Sequence, residues 1–519
     1  MGGLRAAVLA ALFLGGLPGW AAAQDVTLRS RDGAIEVTGT LLGFDGDFYR
    51  VETRYGELTV DGSGVLCEGP GCPSLTDFVA ELSVSGSATA GEVLMPALVE
   101  SFALRSGMTA ERQSLGPNHF RYDLAHADTG KLVGQFEFRV TNTDEGFADL
   151  LADEADIVMA LREIRPSEVS LAREAGLGDL RDARRSRVLA LDALVPVVAT
   201  RNPLDAISIS DLARIAVGEV TNWRELGGPD APIALHLRDA ASGLAQGIED
   251  RIIARTRGEL RSDVVRHASN TELSQAVARD PFGIGIVSFS EIGNAKPLVL
   301  TGGCGFSLRN TRRNIKTEDY PLTAPMFLYL PARRLPALAR DFLAFTRSAP
   351  AQIVIRRAGF VDQSPEEIPI DLQGDRLANA ISVADSDAAL AELRRMIDTL
   401  APMQRLTTSF RFEAGSARLD AQSRSNIAQL ARALEDGVYT ARRLVFVGFS
   451  DGVGPAEPNL QIARKRAAAV RDAVVLAAET ADLAQIEIST DAFGEAMPMA
   501  CDDTEWGRQV NRRVEVWVR

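Results

Sequence analysis

Apolar and polar positions alternate in period two through residues 24–76, as in "AIEVTGTLLGF", "FYRVETRYGELTV" and "GVLC", with Asp-Gly turns at Asp32-Gly33 and Asp45-Gly46. Such alternation predicts half-buried strands joined by tight turns, hence a small antiparallel β domain of the SH3-like kind. From 78 to 360 the texture changes to strands alternating with amphipathic helices, the mark of an α/β sheet. "ELSVSGSATAGEVLMPALVESFALRSG" reads as strand, small polar loop and helix; "QFEFRVTNTDEGFADLLADEADIVMAL" and "PIALHLRDAASGLAQGIEDRII" repeat the scheme. "SNTELSQAVARDPFGIGIVSF" opens on a capping pattern, Ser269 to Glu272. Residues 361–405 read as a linker with one helix, "DAALAELRRMIDTLAPM". Residues 406–519 form a further α/β domain, with the strand "RLVFVGFS", the helix "LQIARKRAAAVRDAVV" and a last strand "RRVEVWV".

The N-terminus, "MGGLRAAVLAALFLGGLPGWAAAQ", carries one early Arg, an apolar run and a small-x-small site ending at Ala23, the pattern of a cleaved signal peptide over residues 1–23. The mature chain is then expected to be soluble and exported to the periplasm. Its length is too great for one core and points to roughly three or four domains.

Net charge is −14, so the overall field does not attract nucleic acid, and any anion site must be local. No cofactor is expected, and the four scattered histidines give no metal-ligand spacing. Four cysteines in an exported chain make disulfides plausible. Cys67 and Cys72 flank a Glu-Gly-Pro-Gly turn and are the favoured pair; Cys304 with Cys501 follows by elimination, with two free buried thiols as the alternative.

In the middle domain, three strand–loop–helix units end their strands in Ser, Thr or Gly. A helix N-terminus offers free N–H groups and the positive end of a dipole, so it holds anions without a cation. One such loop is ordinary capping, but three, one of them preceded by Arg238, point to an oxyanion site. The run "DLARIAVGEVTNWRELGGPDAPIALHLRDAASG", with "SGSAT" before it and "ADIVMALREI" between, resembles the PstS-like phosphate-binding receptors of ABC transporters. These are type-2 periplasmic binding proteins, with two α/β lobes closing on a dehydrated oxyanion. The resemblance implies donors at Ser87 and Thr89, at Thr143, and at Arg238, Ser242 and Gly243, with a transporter permease as a further partner. Two departures stand out: Leu244 replaces a hydroxyl residue, and Leu161-Arg162 stand where a carboxylate accepts the ligand's proton. Arg162 would favour a more fully charged anion or would pair with a neighbouring acid. His236 reads as an ordinary strand residue.

In the last domain, "GFSDG" at residues 448–452 matches G-x-S-x-G, the pattern around a hydrolase nucleophile. That reading fails on the residues: Gly452, Gly454, Pro455 and Pro458 prevent an immediate helix, and no histidine follows His267. No catalytic residue is assigned, and the protein is expected not to be an enzyme. Asp451 and Arg466 instead mark the two ends of a loop and helix start, with Asn459 placed to cap the helix or hold the loop. A carboxylate and a guanidinium with a gap between them suit a ligand bearing an ammonium and a carboxylate; the alternative is a direct Asp451–Arg466 salt bridge. "GFSDGVGPAEPNLQIARKRAAAV", preceded by "FRFEAGSARLD" and followed by "GRQVNRRVEVWV", with D-x7-N-x6-R-A spacing, resembles the OmpA-like peptidoglycan-binding domain. The resemblance implies that Asp451 and Arg466 hold the D-centre of diaminopimelate, with Asn459 in the same site. Phe449-Ser450 and Ala463 depart from the usual residues, and Arg512 and Arg513 are left outside the site.

The expected architecture is thus multidomain: a small antiparallel β domain, a two-lobed α/β type-2 periplasmic binding protein, and an α/β OmpA-like sandwich. The expected function is a wall-tethered, outer-membrane-associated receptor for phosphate or a related oxyanion. The alternative is a structural or sensory envelope protein whose binding domain no longer takes a small anion.

Overall fold

A computed structural model describes residues 25–74, 78–256, 258–302, 306–412, 418–503 and 505–519. The expected signal peptide lies outside these residues, as does Cys304. The chain divides into two compact units, Met1–Ala80 and Glu81–Arg519.

In the first unit, five antiparallel strands, Asp25–Ser30, Glu36–Phe44, Phe48–Thr53, Gly56–Asp61 and Val65–Glu68, form one sheet. Period-two alternation turns Val26, Leu28, Tyr49 and Val51 to a small core. Cys67 and Cys72 are disulfide-bonded across the expected turn.

In the second unit, the α/β part is built on one eleven-stranded sheet. Its order runs from Met108–Gly116 through His119–His126, Leu132–Thr141, Ala80–Ser87 and Ile157–Ala160 to Thr323–Tyr329. It continues through Ser186–Val198, Gly283–Ser288 and Ala234–Arg238 to Val265–His267, and the eleventh strand, Lys296–Pro297, pairs with Ser186–Val198 off this path. Thr323–Tyr329 and the long strand Ser186–Val198 pair antiparallel at its centre, joining two lobes with separate cores. One core gathers Leu98, Phe136, Phe138 and Phe342; the other gathers Leu212, Trp223, Leu237 and Ile286.

Helix starts follow local capping chemistry. Asn142 accepts from the Glu145 N–H at 2.9 Å, Ser242 from that of Ala245 at 3.1 Å, and Ser269 from that of Glu272 at 3.1 Å. Asn142 and Ser242 thereby fix the starts of the helices Thr143–Leu151 and Gly243–Arg251.

The C-terminal part carries a five-stranded sheet in the order Glu367–Ile368, Gln404–Arg411, Arg513–Val518, Arg443–Phe449, Glu487–Gly494. Helices Ala421–Glu435 and Ala456–Ala477 pack on one face of it. A Cβ on Gly448 would fall 2.1 Å from the Ala463 carbonyl oxygen, so only glycine lets the second helix approach this closely.

The other face corrects the expected linker. Residues 361–405 hold two helices, Gly374–Val383 and Asp387–Leu400, not one, and a short strand that joins the sheet. Ala380, Leu393, Met396 and Leu400 bury against Val445, Val447 and Trp517. The apolar side of "ALAELRRMIDTL" needs a partner, and the open face of the sheet supplies it.

The α/β and C-terminal parts meet along a charged seam. Asp319 takes two bonds from Arg405, at 2.7 and 3.2 Å, and Arg405 also lies 3.3 Å from Glu515. Lys316 bonds Asp362 at 3.0 Å and Glu366 at 2.5 Å, and the Ala421 N–H donates to Glu163 at 3.0 Å.

Candidate functional site

In the cleft between the lobes the structure brings three of the expected residues together: Gly243 approaches both Ser87 and Leu161, and Leu161 bonds Thr143. Ser87, at the end of Ala80–Ser87, is 0% exposed, and its hydroxyl has no hydrogen-bond partner. A Cβ on Gly243, across the cleft, would stand 2.9 Å from that hydroxyl oxygen. The first loop and the start of Gly243–Arg251 are therefore in contact, which glycine permits. Thr89 begins the turn Ala90–Leu94, and its side chain makes no capping bond. Thr143 is buried, and its hydroxyl accepts from the Leu161 N–H at 3.1 Å, leaving its own proton to donate. The Ser242 oxygen is used in capping, with its proton likewise free.

Arg238 ends the strand Ala234–Arg238 and is 7% exposed. Its guanidinium has no ion pair among the described residues, and its buried Nε has no partner. A buried guanidinium nitrogen without a hydrogen-bond partner is costly. Desolvation pushes the Glu92 carboxyl up, Arg238 pulls it down and Glu291 pushes it up again, so these groups share one electrostatic neighbourhood.

Arg162 does not join the cleft as a free cation. It pairs with Glu168 at 2.6 Å and with Asp144 in a still shorter contact. Of the two roles weighed from sequence, pairing with neighbouring acids is the one found. Contacts also cross the cleft: Gln246 donates to Asn142 at 3.4 Å, and Arg165 lies 3.5 Å from Asp250. His236 lies in the strand Ala234–Arg238 as expected, and its ring nitrogens lie 3.0 Å from His267 and 3.0 Å from Asp280.

The second candidate site lies in the C-terminal part. Asp451 follows the strand Arg443–Phe449 and is 9% exposed. Its carboxylate accepts from Arg512 at 2.8 Å and from the Val453 N–H at 3.3 Å. Arg466 is half-buried, with its guanidinium carbon 5.0 Å from the Phe412 ring centroid, and it makes no ion pair among the described residues. Burial, then the charge of Arg512, lowers its pKa, while Asp451 acts the other way. The direct Asp451–Arg466 salt bridge is therefore not formed, although the two groups feel each other. Asn459 holds the loop: its amide donates to the carbonyls of Asp451 at 3.3 Å and Val453 at 3.1 Å, and to Glu495 at 2.7 Å.

Arg512 is the residue that sequence reasoning missed. It pairs with both Asp451 and Glu505 and so orients the carboxylate. The doubled arginine in "NRRVEVWV" was the available signal; Arg513 opens the last strand, Arg513–Val518, and Arg512 stands just before it. Arg513 turns into the protein and bonds Glu515 at 2.7 Å, while Arg512 turns to the loop. The Ser450 hydroxyl is buried without a partner, and no histidine exists beyond His267 to activate it. Among the cysteines, Cys501 is disulfide-bonded; its proposed mate, Cys304, is outside the described residues.

Residues 82–350 match the family model described as a PBP superfamily domain, and residues 411–512 match the OmpA family. Protein SphX of Synechococcus elongatus is 29% identical over 234 residues, spanning 43% of this chain and 67% of that protein. The phosphate-binding protein PstS of Borreliella burgdorferi is 24% identical over 198 residues, spanning 37% of this chain and 70% of that protein. An ABC-type phosphate transport receptor from Vibrio cholerae covers 54% of this chain and 99% of its own, at 22% identity and a TM-score of 0.42. With its matched segment spanning half of its length, the chain belongs to the PBP superfamily, and it joins that domain to a C-terminal OmpA-family domain.

Proposed function

We propose that the protein is a cell-wall-held receptor for phosphate or a related oxyanion, exported to the periplasm and not an enzyme. The observation that carries this reading is that the Ser87 hydroxyl and the Arg238 Nε are both buried and both without a hydrogen-bond partner. Thr89, Thr143, Ser242 and the Gly243 N–H complete a set made of donors, the complement of an oxyanion. The name of the related PstS protein, a phosphate-binding protein, agrees with phosphate as one ligand. A transporter permease is the natural acceptor of a ligand released from such a cleft.

The wall attachment rests on Asp451 and Arg466, two opposite charges in one pocket that do not neutralise each other. The arrangement suits an ammonium and a carboxylate carried on one centre, as in diaminopimelate of the peptidoglycan peptide. Asn459 and Arg512 hold the loop and the carboxylate in place.

A second reading, an envelope protein whose cleft has lost its ligand, draws on Leu161 and Leu244, which offer no polar side chain. Calorimetry separates the two. Phosphate titrated into the chain from residue 24 onward binds with a stoichiometry of about one per chain, and Arg238→Ala abolishes the heat. No heat from phosphate or sulfate at millimolar concentration rejects the receptor reading in favour of the second.

A further inference from the structure

Beside the anion cleft lies a cavity that the donor set does not use. The strands Met108–Gly116 and His119–His126 extend the sheet past Leu132–Thr141, and the Asn118 carbonyl accepts from the Val140 N–H at 2.8 Å. This bond places the hairpin turn at the end of the strand that leads into Asn142 and Thr143. A Cβ on Gly91, in the first loop's turn, would meet Val140 at 2.8 Å, so that turn is here as well. Between them is a cavity of about 320 Å³, lined by Glu92, Arg112, Ser114, Asn118, His119 and Phe120, among others.

Its charged groups are not spent on one another. The Arg112 guanidinium lies 3.8 Å above the centroid of the Phe120 ring, a stacking that fixes its plane. Among the described residues, neither Arg112 nor Glu92 makes an ion pair or a side-chain hydrogen bond, whereas His119 is taken by Glu137 at 2.7 Å. The cavity thus presents one immobilised cation and one carboxylate, both available. Its volume matches the lower end of small-molecule pockets, about 300–1,000 Å³, far more than a bare tetrahedral anion fills. Glu92 belongs to both places, since it lines the cavity and shares the electrostatic neighbourhood of Arg238.

The donor set points the same way. Ser87, Thr89, Thr143, Arg238 and Ser242 are donors to a fully ionised group, and the carboxylate that shares the Arg238 neighbourhood, Glu92, lines the cavity and is not one of the donor set. Inorganic phosphate keeps at least one P–OH proton at neutral pH. A phosphomonoester, with a second pKa of about 6, keeps none.

We propose that the cavity bounded by Arg112, Glu92 and the hairpin turn is an organic-group subsite of the anion cleft. The ligand class is a small phosphomonoester whose organic part carries hydroxyl and acidic groups. The phosphate sits on Ser87 and Arg238, an acidic group of the organic part pairs with Arg112, and Glu92 accepts from a hydroxyl. This inference rests on the receptor reading and narrows its ligand.

The test titrates inorganic phosphate and 3-phosphoglycerate into the full mature chain and into its Arg112→Ala and Ser114→Trp variants. Both substitutions are at exposed positions, and the second fills the cavity. The expected result is at least tenfold tighter binding of 3-phosphoglycerate than of phosphate. Each variant should lose that tenfold advantage while its affinity for inorganic phosphate changes less than twofold. Equal or weaker binding of the ester, or an advantage that survives both substitutions, overturns the subsite and leaves the phosphate receptor standing. Absence of binding for both ligands overturns the receptor reading and the subsite together.

Discussion

Asp319 offers the clearest test of how the binding domain and the OmpA-family domain are joined. It is 2% exposed and faces Arg405, itself 1% exposed, through bonds of 2.7 and 3.2 Å, with Arg411 at 3.4 Å. Burial alone would raise its pKa, but Arg405, Arg376 and Arg411 outweigh burial and hold the carboxyl well below the usual range. Asp319→Ala removes three contacts and leaves two guanidiniums partly uncompensated. Breaking a buried ion pair from one side costs about 3–5 kcal/mol. Arg405 retains Glu515 at 3.3 Å and Ser409 at 3.1 Å, and Arg411 retains the Thr317 and Glu318 carbonyls. The expected loss is therefore at the lower end, about 3 kcal/mol. Trp517 is a reporter within the network, because its indole N–H donates to Glu515 at 3.1 Å. Urea unfolding followed by tryptophan fluorescence should show an early transition in Asp319→Ala, with Asp319→Asn intermediate. A stability within about 0.5 kcal/mol of wild type would refute the view that this seam ties the domains.

In sedimentation with diaminopimelate-containing sacculi, Asp451→Ala and Arg466→Ala should abolish binding. Arg512→Ala should weaken it about tenfold, as expected from losing one charge-assisted orienting bond; full retention in Arg512→Ala would remove that residue from the site. Glu318, at the seam, has its carboxyl pushed up to about 8 by burial and by Asp420. The folded chain then holds a proton that the unfolded chain releases near pH 4.5. Its stabilising effect is complete below that pH and lost as pH rises to about 8. Glu318→Gln should flatten stability over this window by a few kcal/mol, at about 1.4 kcal/mol per pH unit, and an unchanged slope would contradict the burial argument. Glu515 acts oppositely: Arg376, Arg405 and Arg513 overcome burial and hold it at about 2, so its contribution is present above pH 4.5 and lost as pH falls toward 2. Gly448→Ala should cost about 1–3 kcal/mol from overpacking against Ala463, read as a lower melting temperature.

Local chemistry made much of this architecture legible. Alternation in "FYRVETRYGELTV" marks strands because the pleat repeats every two residues, and capping residues such as Ser269 mark helix starts because they satisfy free N–H groups. Ser87, Thr143 and Ser242 stand out in the sequence for the same reason, since all three stand at strand-to-helix junctions. Features set by distant partners do not stand out. Nothing near Asp319 announces Arg405, 86 positions away, and the apolar side of Asp387–Leu400 does not name the sheet face that covers it. Arg512 and Arg513 are adjacent and chemically identical, and only the point where the last strand begins, at Arg513, leaves one facing Asp451 and the other facing Glu515. Arg162 read as a possible ligand group because its acids, Asp144 and Glu168, lie on two different helices.

The central claim, a single chain that holds an anion while held by the cell wall, is tested most directly by one sedimentation measurement. Full mature protein is mixed with diaminopimelate-containing sacculi and ³²P-phosphate, and protein and label are counted in the pellet. The account predicts that both sediment in about equal amounts at saturation. Arg238→Ala should keep the protein in the pellet and release the label, and Asp451→Ala should release both. Label that stays in solution while wild-type protein pellets, or protein that never pellets, would contradict the account.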